Sequence, residues 1–197
     1  MAKSAVMTPW WRTPIRIGAT AAAVWLLLVG GLMLFERHLI YFPIGPLAAE
    51  PRDYGLDAEE LRLRASDGVE LHGWHFRENG DRVLVWFHGN AGNISHRLDN
   101  AQRLVRRFGL DIILVDYRGY GLSDGTPDEA GLYLDGLAMY QAALDAGFAS
   151  GQVVVFGRSI GAAVALDVAP AAIACFAASV AVCLSKGISR SPQSSWA

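Results

Sequence analysis

Between residues 61 and 66 apolar and polar positions alternate, with Leu61, Leu63 and Ala65 set against Arg62, Arg64 and Ser66. A period of two places the apolar set on one face of a strand. Asp67-Gly68 follows as a hairpin signal, and 69–76 reads as the returning strand, so this pair forms an antiparallel sheet edge. From Asp81 onward the pattern changes. Val83-Leu84-Val85-Trp86-Phe87, Ile112-Ile113-Leu114-Val115 and Val153-Val154-Val155-Phe156 are short unbroken apolar runs, the pattern of strands buried on both faces. Ile94, Leu98, Ala101, Val105 and Phe108 recur between the first two runs at helical spacing, with Arg97, Arg103 and Arg107 on other faces. Tyr133, Leu137, Tyr140 and Leu144 form a second helical stripe before the third run. Strands alternating with helices predict a parallel α/β sheet.

The N-terminal pattern is different in kind. Residues 17–35 carry no charge, and Arg16 and Glu36 bound them. As a helix this stretch rises about 28 Å, close to the hydrocarbon thickness of a bilayer. Trp10 and Trp11 on one side, and Tyr41 and Phe42 on the other, suit the two interfaces. Lys3, Arg12 and Arg16 precede the span, and Glu36, Arg37 and His38 follow it. The bias places the N-terminus in the cytoplasm and the rest of the chain across the membrane. A cleaved signal peptide is the rival reading, but the apolar stretch is long for one and Leu47-Ala48-Ala49 lies far downstream. A buried core helix is the third, set against a run this long, uncharged and terminal. Residues 36–58 read as a linker, broken by Pro43, Gly45, Pro46, Pro51 and Gly55.

Composition supports this picture. The 197 residues leave room for one medium domain, and their 52% hydrophobic content is high for a soluble one. A net charge of −2 points away from nucleic acid. Cys175 and Cys183 form no Cys-x-x-Cys motif and have no nearby His cluster, so no metal site, disulfide or cofactor is implied. Past Asp167 the character shifts again. Residues 168–197 hold no Asp or Glu, and Lys186 and Arg190 are their only basic residues. A further strand fits 174–182, but no acid-bearing loop or late His follows. The segment reads as a frameshifted or mis-terminated continuation, the alternative being a genuine short C-terminus.

Chemistry concentrates in three loops, each directly after an apolar run. Gly157-Arg158-Ser159-Ile160-Gly161 has a strand before it and a small, apolar helix start after it. Its glycines permit a sharp turn that holds a strained, exposed serine, the nucleophile elbow. The backbone N–H of Ile160 would then point at a developing oxyanion. His88-Gly89-Asn90-Ala91-Gly92-Asn93 follows the neighbouring strand, and its glycines let backbone N–H groups approach a substrate carbonyl. Asn90 is the expected second oxyanion donor, with Ala91 next. Asp116-Tyr117-Arg118-Gly119-Tyr120-Gly121 is the third loop, in which Asp116, Arg118 and Asp124 read as ordinary Asp–Arg pairing.

An activated serine needs a base, and the base an orienting acid. All five histidines, His38, His72, His75, His88 and His96, precede Ser159. His88 reads as structural, bonded to nearby backbone, and His96 as solvent-facing. The one acid after Ser159 is Asp167, about two helical turns along, and reads as a surface charge.

These motifs, in this order and behind Leu39-Ile40-Tyr41-Phe42-Pro43, resemble the α/β-hydrolase superfamily, in particular its membrane-anchored abhydrolase-domain branch related to serine aminopeptidases and esterases. The resemblance covers roughly 36–167. It implies an α/β fold: the N-terminal half of an α/β-hydrolase, with an antiparallel edge pair and then a parallel sheet with flanking helices, behind a transmembrane helix. The organisation it implies is a cytoplasmic tail over 1–16, an anchor over 17–35, a linker over 36–58, a partial hydrolase domain over 59–167 and an aberrant tail over 168–197. It implies ester, amide or acyl hydrolysis, with Ser159 as nucleophile and the Asn90 and Ile160 N–H groups as the oxyanion hole. The substrate is then a small-molecule, acyl or peptidyl compound, and no cofactor is called for. The family's triad acid and His have no matching positions, so the chain is expected to be inactive as written. The alternative is a non-catalytic, membrane-tethered pseudohydrolase acting as a binding module.

Overall fold

The computed structural model describes the backbone of residues 12–187 and the side chains of 13–173. Trp10, Trp11 and Lys3, and the side chains of Arg12, Cys175, Cys183, Lys186 and Arg190, lie outside the described residues. Two units separate, Met1–Ile40 and Tyr41–Ala197.

The first unit contains α1 (Arg12–Ile40), unbroken through the apolar stretch and beyond it. Its Thr13–Ile40 portion is long and apolar enough to cross a membrane. Residues 36–40, expected in the linker, are helical, because nothing between Glu36 and Ile40 breaks the pattern.

The second unit begins with β1 (Phe42–Pro43) and a short 3-10 turn (Pro51–Tyr54). β2 (Glu59–Arg64) and β3 (Glu70–Phe76) form the expected hairpin, with Leu61 opposite Gly73. β4 (Val83–Phe87) runs into β5 (Ala91–Gly92), a 3-10 turn (Ile94–Arg97) and α2 (Leu98–Phe108). β6 (Asp111–Val115), α3 (Glu129–Asp145), β7 (Val153–Gly157) and α4 (Ile160–Gly187) complete the described chain. The main sheet has the order β2-β3-β6-β4-β7. β4 pairs in parallel with both β6 and β7, and β3 pairs antiparallel with β6.

The two faces of this sheet carry separate cores. Val83, Val85 and Phe87 of β4 point with Ile113 and Val115 into a cluster closed by Leu132, Met139, Ala143, Val164 and Val168 of α3 and α4. Leu84 and Trp86 point the other way, with Ile112 and Leu114, against Ile94, Leu98, Ala101 and Val105. This is the strand period of two expressed as a three-layer sandwich.

Four expectations need correction. The buried side of α3 is Leu132, Asp135, Gly136, Met139, Tyr140 and Ala143, and Leu137 of the expected stripe is exposed. Small Gly136 lets α4 approach, because a Cβ there would run into Val164, and this close contact sets the phase of α3. Phe108 closes the expected α2 stripe but is exposed, at the helix end before Gly109. β7 is an edge strand among the described residues, and Val154 and Phe156 are 39% and 42% exposed rather than buried. Residues 174–182 are helical, not a strand, continuing α4 through an Ala-rich sequence.

The stretch 41–58, expected as linker, is part of the second unit and packs against its core. Tyr41 and Leu56 are buried, and Asn93 Nδ2 donates to the carbonyls of Ile44 at 2.8 Å and Pro46 at 3.1 Å.

Candidate active site

β4 is where the winding reverses. The chain leaves it for β6 on one side and later returns to β7 on the other, so the loops after β4 and β7 diverge to opposite faces. In open α/β sheets the crevice between such loops takes the ligand. Phe87 and Gly157 stand opposite each other in the β4–β7 register, and the Arg158 N–H donates to the Phe87 carbonyl at 3.1 Å. His88-Gly89 is thereby brought level with Arg158-Ser159.

Ser159 has φ of 55°, in the left-handed region, and its side chain is exposed. A non-glycine residue there carries backbone strain. The neighbours leave no alternative path. A Cβ on Gly157 would strike the Gly161 carbonyl, and one on Gly161 would strike the carbonyls of Phe87 and His88. The strand, the turn and the first turn of α4 are therefore packed backbone against backbone. Ile160 opens α4, where first-turn N–H groups have no partner within the helix. Gly89 lies across from the serine, with its Cβ position 3.5 Å from Ser159 Cβ.

The Asn90 loop is held from two directions. Its Oδ1 accepts from Tyr120 Oη at 2.7 Å and from the Phe42 N–H at 3.2 Å. Just past it, Phe42 and Pro43 pair in parallel with Ala91 and Gly92. Burial pushes the Tyr120 hydroxyl up to about 12, so it stays a donor. Sequence patterning missed this clamp, because a two-residue strand leaves no periodic signal.

His88 is fully buried, and its Nδ1–H donates to the Gly89 carbonyl at 2.8 Å. Its Nε2 faces Asp116 Oδ1 at 3.5 Å. Tyr117 lies against the ring with centroids 4.4 Å apart. Burial drives both groups toward their neutral forms, His88 down to about 4 and Asp116 up to about 8. Both ring nitrogens are thus turned to other groups, and no described side chain hydrogen-bonds Ser159. His96 is exposed on its 3-10 turn, its Nδ1 3.0 Å from Asn93 Oδ1, and Asp167 is exposed on α4. No cluster of three or more His, Cys, Asp or Glu that could hold a metal ion occurs among the described residues.

The expected Asp–Arg pairing inside the third loop is replaced by a longer-range one. Arg118 binds Asp135 on α3 through Nε at 3.0 Å and Nη2 at 2.8 Å, and Asp67 of the hairpin turn through Nη1 at 2.7 Å. Asp116 instead accepts the Ile94 N–H at 2.9 Å. Asp135 gave no sequence signal, because a single acid on a helix reads as surface.

The family model described as "Serine aminopeptidase, S33" matches residues 78–190, more than half of the chain. The α/β hydrolase domain-containing protein WAV2 of Arabidopsis thaliana is 36% identical over 68% of this chain and 46% of its own length. Protein bem46 of Schizosaccharomyces pombe is 33% identical over 76% of this chain and 53% of its own length. The chain thus spans about half the length of these curated relatives. A solved esterase of Pyrococcus furiosus superposes with a TM-score of 0.57 at 22% identity, over 66% of this chain and 50% of that one. That likeness is one of fold.

Proposed function

The chain belongs to the α/β-hydrolase superfamily, and from that premise we propose that it is a membrane-anchored serine hydrolase scaffold that presents Ser159 as an acyl acceptor. One observation carries the reading: Ser159 stands in left-handed backbone at the switch point of the sheet, facing the glycine loop after β4. In the proposed reaction Ser159 Oγ attacks the acyl carbon as its proton leaves. The Asn90 and Ile160 N–H groups receive the oxyanion. Collapse expels the protonated leaving group, and water then releases the acyl group as an acid and restores the serine. α1 supplies the anchor, its basic N-terminal flank facing the cytoplasm and the hydrolase unit the far side.

The proton is the weak point. His88 Nδ1 is bonded to Gly89, its buried Nε2 lies 3.5 Å from Asp116 Oδ1 without a hydrogen bond, and no described side chain bonds to Ser159. Turnover by this chain is therefore expected to be slow, with the remaining acceleration coming from oxyanion contacts and binding. The same observation favours a second reading, a tethered binding module that keeps the crevice without the chemistry.

A fluorophosphonate probe applied to the full chain in membranes separates them. Slow labelling that disappears in Ser159→Ala supports the hydrolase reading. Labelling indifferent to Ser159→Ala, or none, leaves the binding module. Rapid labelling at Ser159 would show that a working base reaches it.

A further inference from the structure

Two arginines bear on the crevice from different elements. Arg158 immediately precedes Ser159 and is exposed, and its Cγ lies 4.0 Å from the Cβ position of Gly89. Arg97 reaches the same loop from beyond β5, donating through Nη2 to the Ala91 carbonyl. Its Nε is buried and has no partner among the described residues. Arg52, Arg62, Arg64, Arg77, Arg103 and Arg118 each reach a carboxylate. Arg97 and Arg158, like Arg82, Arg106 and Arg107, form no ion pair among the described residues, and of these Arg97 and Arg158 are the two that lie at the Gly89–Ala91 loop. Burial and then the charge of Arg158 both push the Arg97 pKa down, so the two cations repel each other. Asp116 is the acid within electrostatic reach of Arg97, and burial keeps it protonated at neutral pH.

Two arginine side chains beside one loop, neither of them ion-paired with a carboxylate, repel each other, and an anion between them would relieve that repulsion. Their planar donor forks suit the oxygens of a phosphate or carboxylate. The start of α4, next to Arg158, adds its own preference for negative charge. We propose that Arg97 and Arg158 form a seat for an anionic, phosphate- or carboxylate-type group of the substrate, beside the acyl carbon offered to Ser159. The assignment rests on the reading of Ser159 as acyl acceptor and adds a substrate class to it: acyl esters that carry a negative charge near the scissile bond.

The test is a binding measurement on the full chain in uncharged detergent, with lysophosphatidic acid, a monoacylglycerol of equal chain length and inorganic phosphate as probes. Lysophosphatidic acid is expected to bind at least about tenfold more tightly than the neutral lipid. Arg158→Gln, an exposed substitution, and Arg97→Gln each erase most of that preference, while Arg158→Lys keeps part of it. Ser159→Ala retains the preference in full, so anion recognition can stand even where the nucleophile reading fails. Displacement of the lysolipid by millimolar phosphate supports the seat and identifies the anion alone as sufficient. Failure of phosphate to displace it, with the preference intact, supports the seat and identifies the charged lipid as the ligand. Equal affinity for the two lipids, or a preference untouched by Arg158→Gln, overturns the proposal.

Discussion

Arg118 and Asp135, seventeen residues apart, meet in the interior through charge-assisted hydrogen bonds from Nε at 3.0 and 3.2 Å and from Nη2 at 2.8 Å, and the Asp135 side chain is fully buried. The pair ties the loop after β6 to α3. Asp67 completes the contact from the hairpin turn, but its side chain is 36% exposed. Removing the buried partner strands a charge in low dielectric, so Asp135→Ala is expected to destabilise the second unit by about 3 kcal/mol. Asp67→Ala should cost much less than Asp135→Ala, because water screens that end. Urea melts of the two variants, followed by tryptophan fluorescence, compare these costs. Equal losses would show that burial does not separate the two ends of the network.

The elbow depends on what is absent from Gly161. A Cβ there would occupy the space of the Phe87 and His88 carbonyls, which are backbone atoms and cannot swing aside. Gly161→Ala is therefore expected to cost more than about 2 kcal/mol and to displace Ser159 from the Gly89 loop. Gly147→Ala is the contrast in strain without collision, since its φ of 98° is unfavourable but nothing lies within 4 Å. Thermal melts compare the two for stability. Hydrogen exchange over 157–163 should rise in Gly161→Ala alone.

Asp116 and His88 make stability depend on pH in opposite directions. With its carboxyl raised from 3.8 to about 8, Asp116 keeps a proton in the folded chain that the unfolded chain loses, so stability falls as pH rises between those values. His88, depressed from 6.5 to about 4, gives a rise in stability over that lower window. Up to about pH 6.5 the two act in opposite directions, and from there to about 8 the Asp116 contribution is no longer opposed by His88, a loss of roughly 2 kcal/mol. Asp116→Asn should flatten the profile over this upper window. Urea midpoints at pH 6.5 and 8, for wild type and variant, measure it, and an unchanged slope in Asp116→Asn would assign the dependence to other groups.

Tyr120 reaches the Asn90 loop through one hydroxyl, at 2.7 Å from Asn90 Oδ1. Tyr120→Phe keeps the ring packing on His88 and removes that bond, at a cost of about 1 kcal/mol. The effect is expected to be local. Hydrogen exchange should quicken over 89–92 and stay unchanged in the β2–β3 hairpin. A uniform change across both segments would mean that the hydroxyl serves global stability and not this loop.

Much of the fold follows from short-range pattern. The alternation at 61–66, the three apolar runs and the spacing from Ile94 to Val105 each mark an element within a few residues, because backbone period decides which side chains share a face. The turn at Ser159 was legible for the same reason. Two glycines flanking one serine, after a strand and before a helix, describe a local backbone path, and the left-handed φ of Ser159 lies on it. The long apolar run of α1 is equally local.

What escaped were the relationships that only packing creates. The phase of α3 was misread because its aromatic residues suggested a stripe, while the close approach of α4 required Gly136 on the inner face. Asp135 became a buried anchor only because Arg118 meets it from another loop. The apolar run of β7 was read as buried on both faces, yet whether a strand is central or at an edge depends on its neighbours in the sheet and not on its own residues. The sequence by itself therefore determined the elements, their order and the strained serine turn, since these depend on backbone sterics and apolar period over a few residues. The tertiary structure alone decided which polar groups are buried together, that residues 41–46 brace the Asn90 loop, and that His88 Nε2 lies beside the buried Asp116, since these contacts join residues far apart in sequence through packing and loss of water.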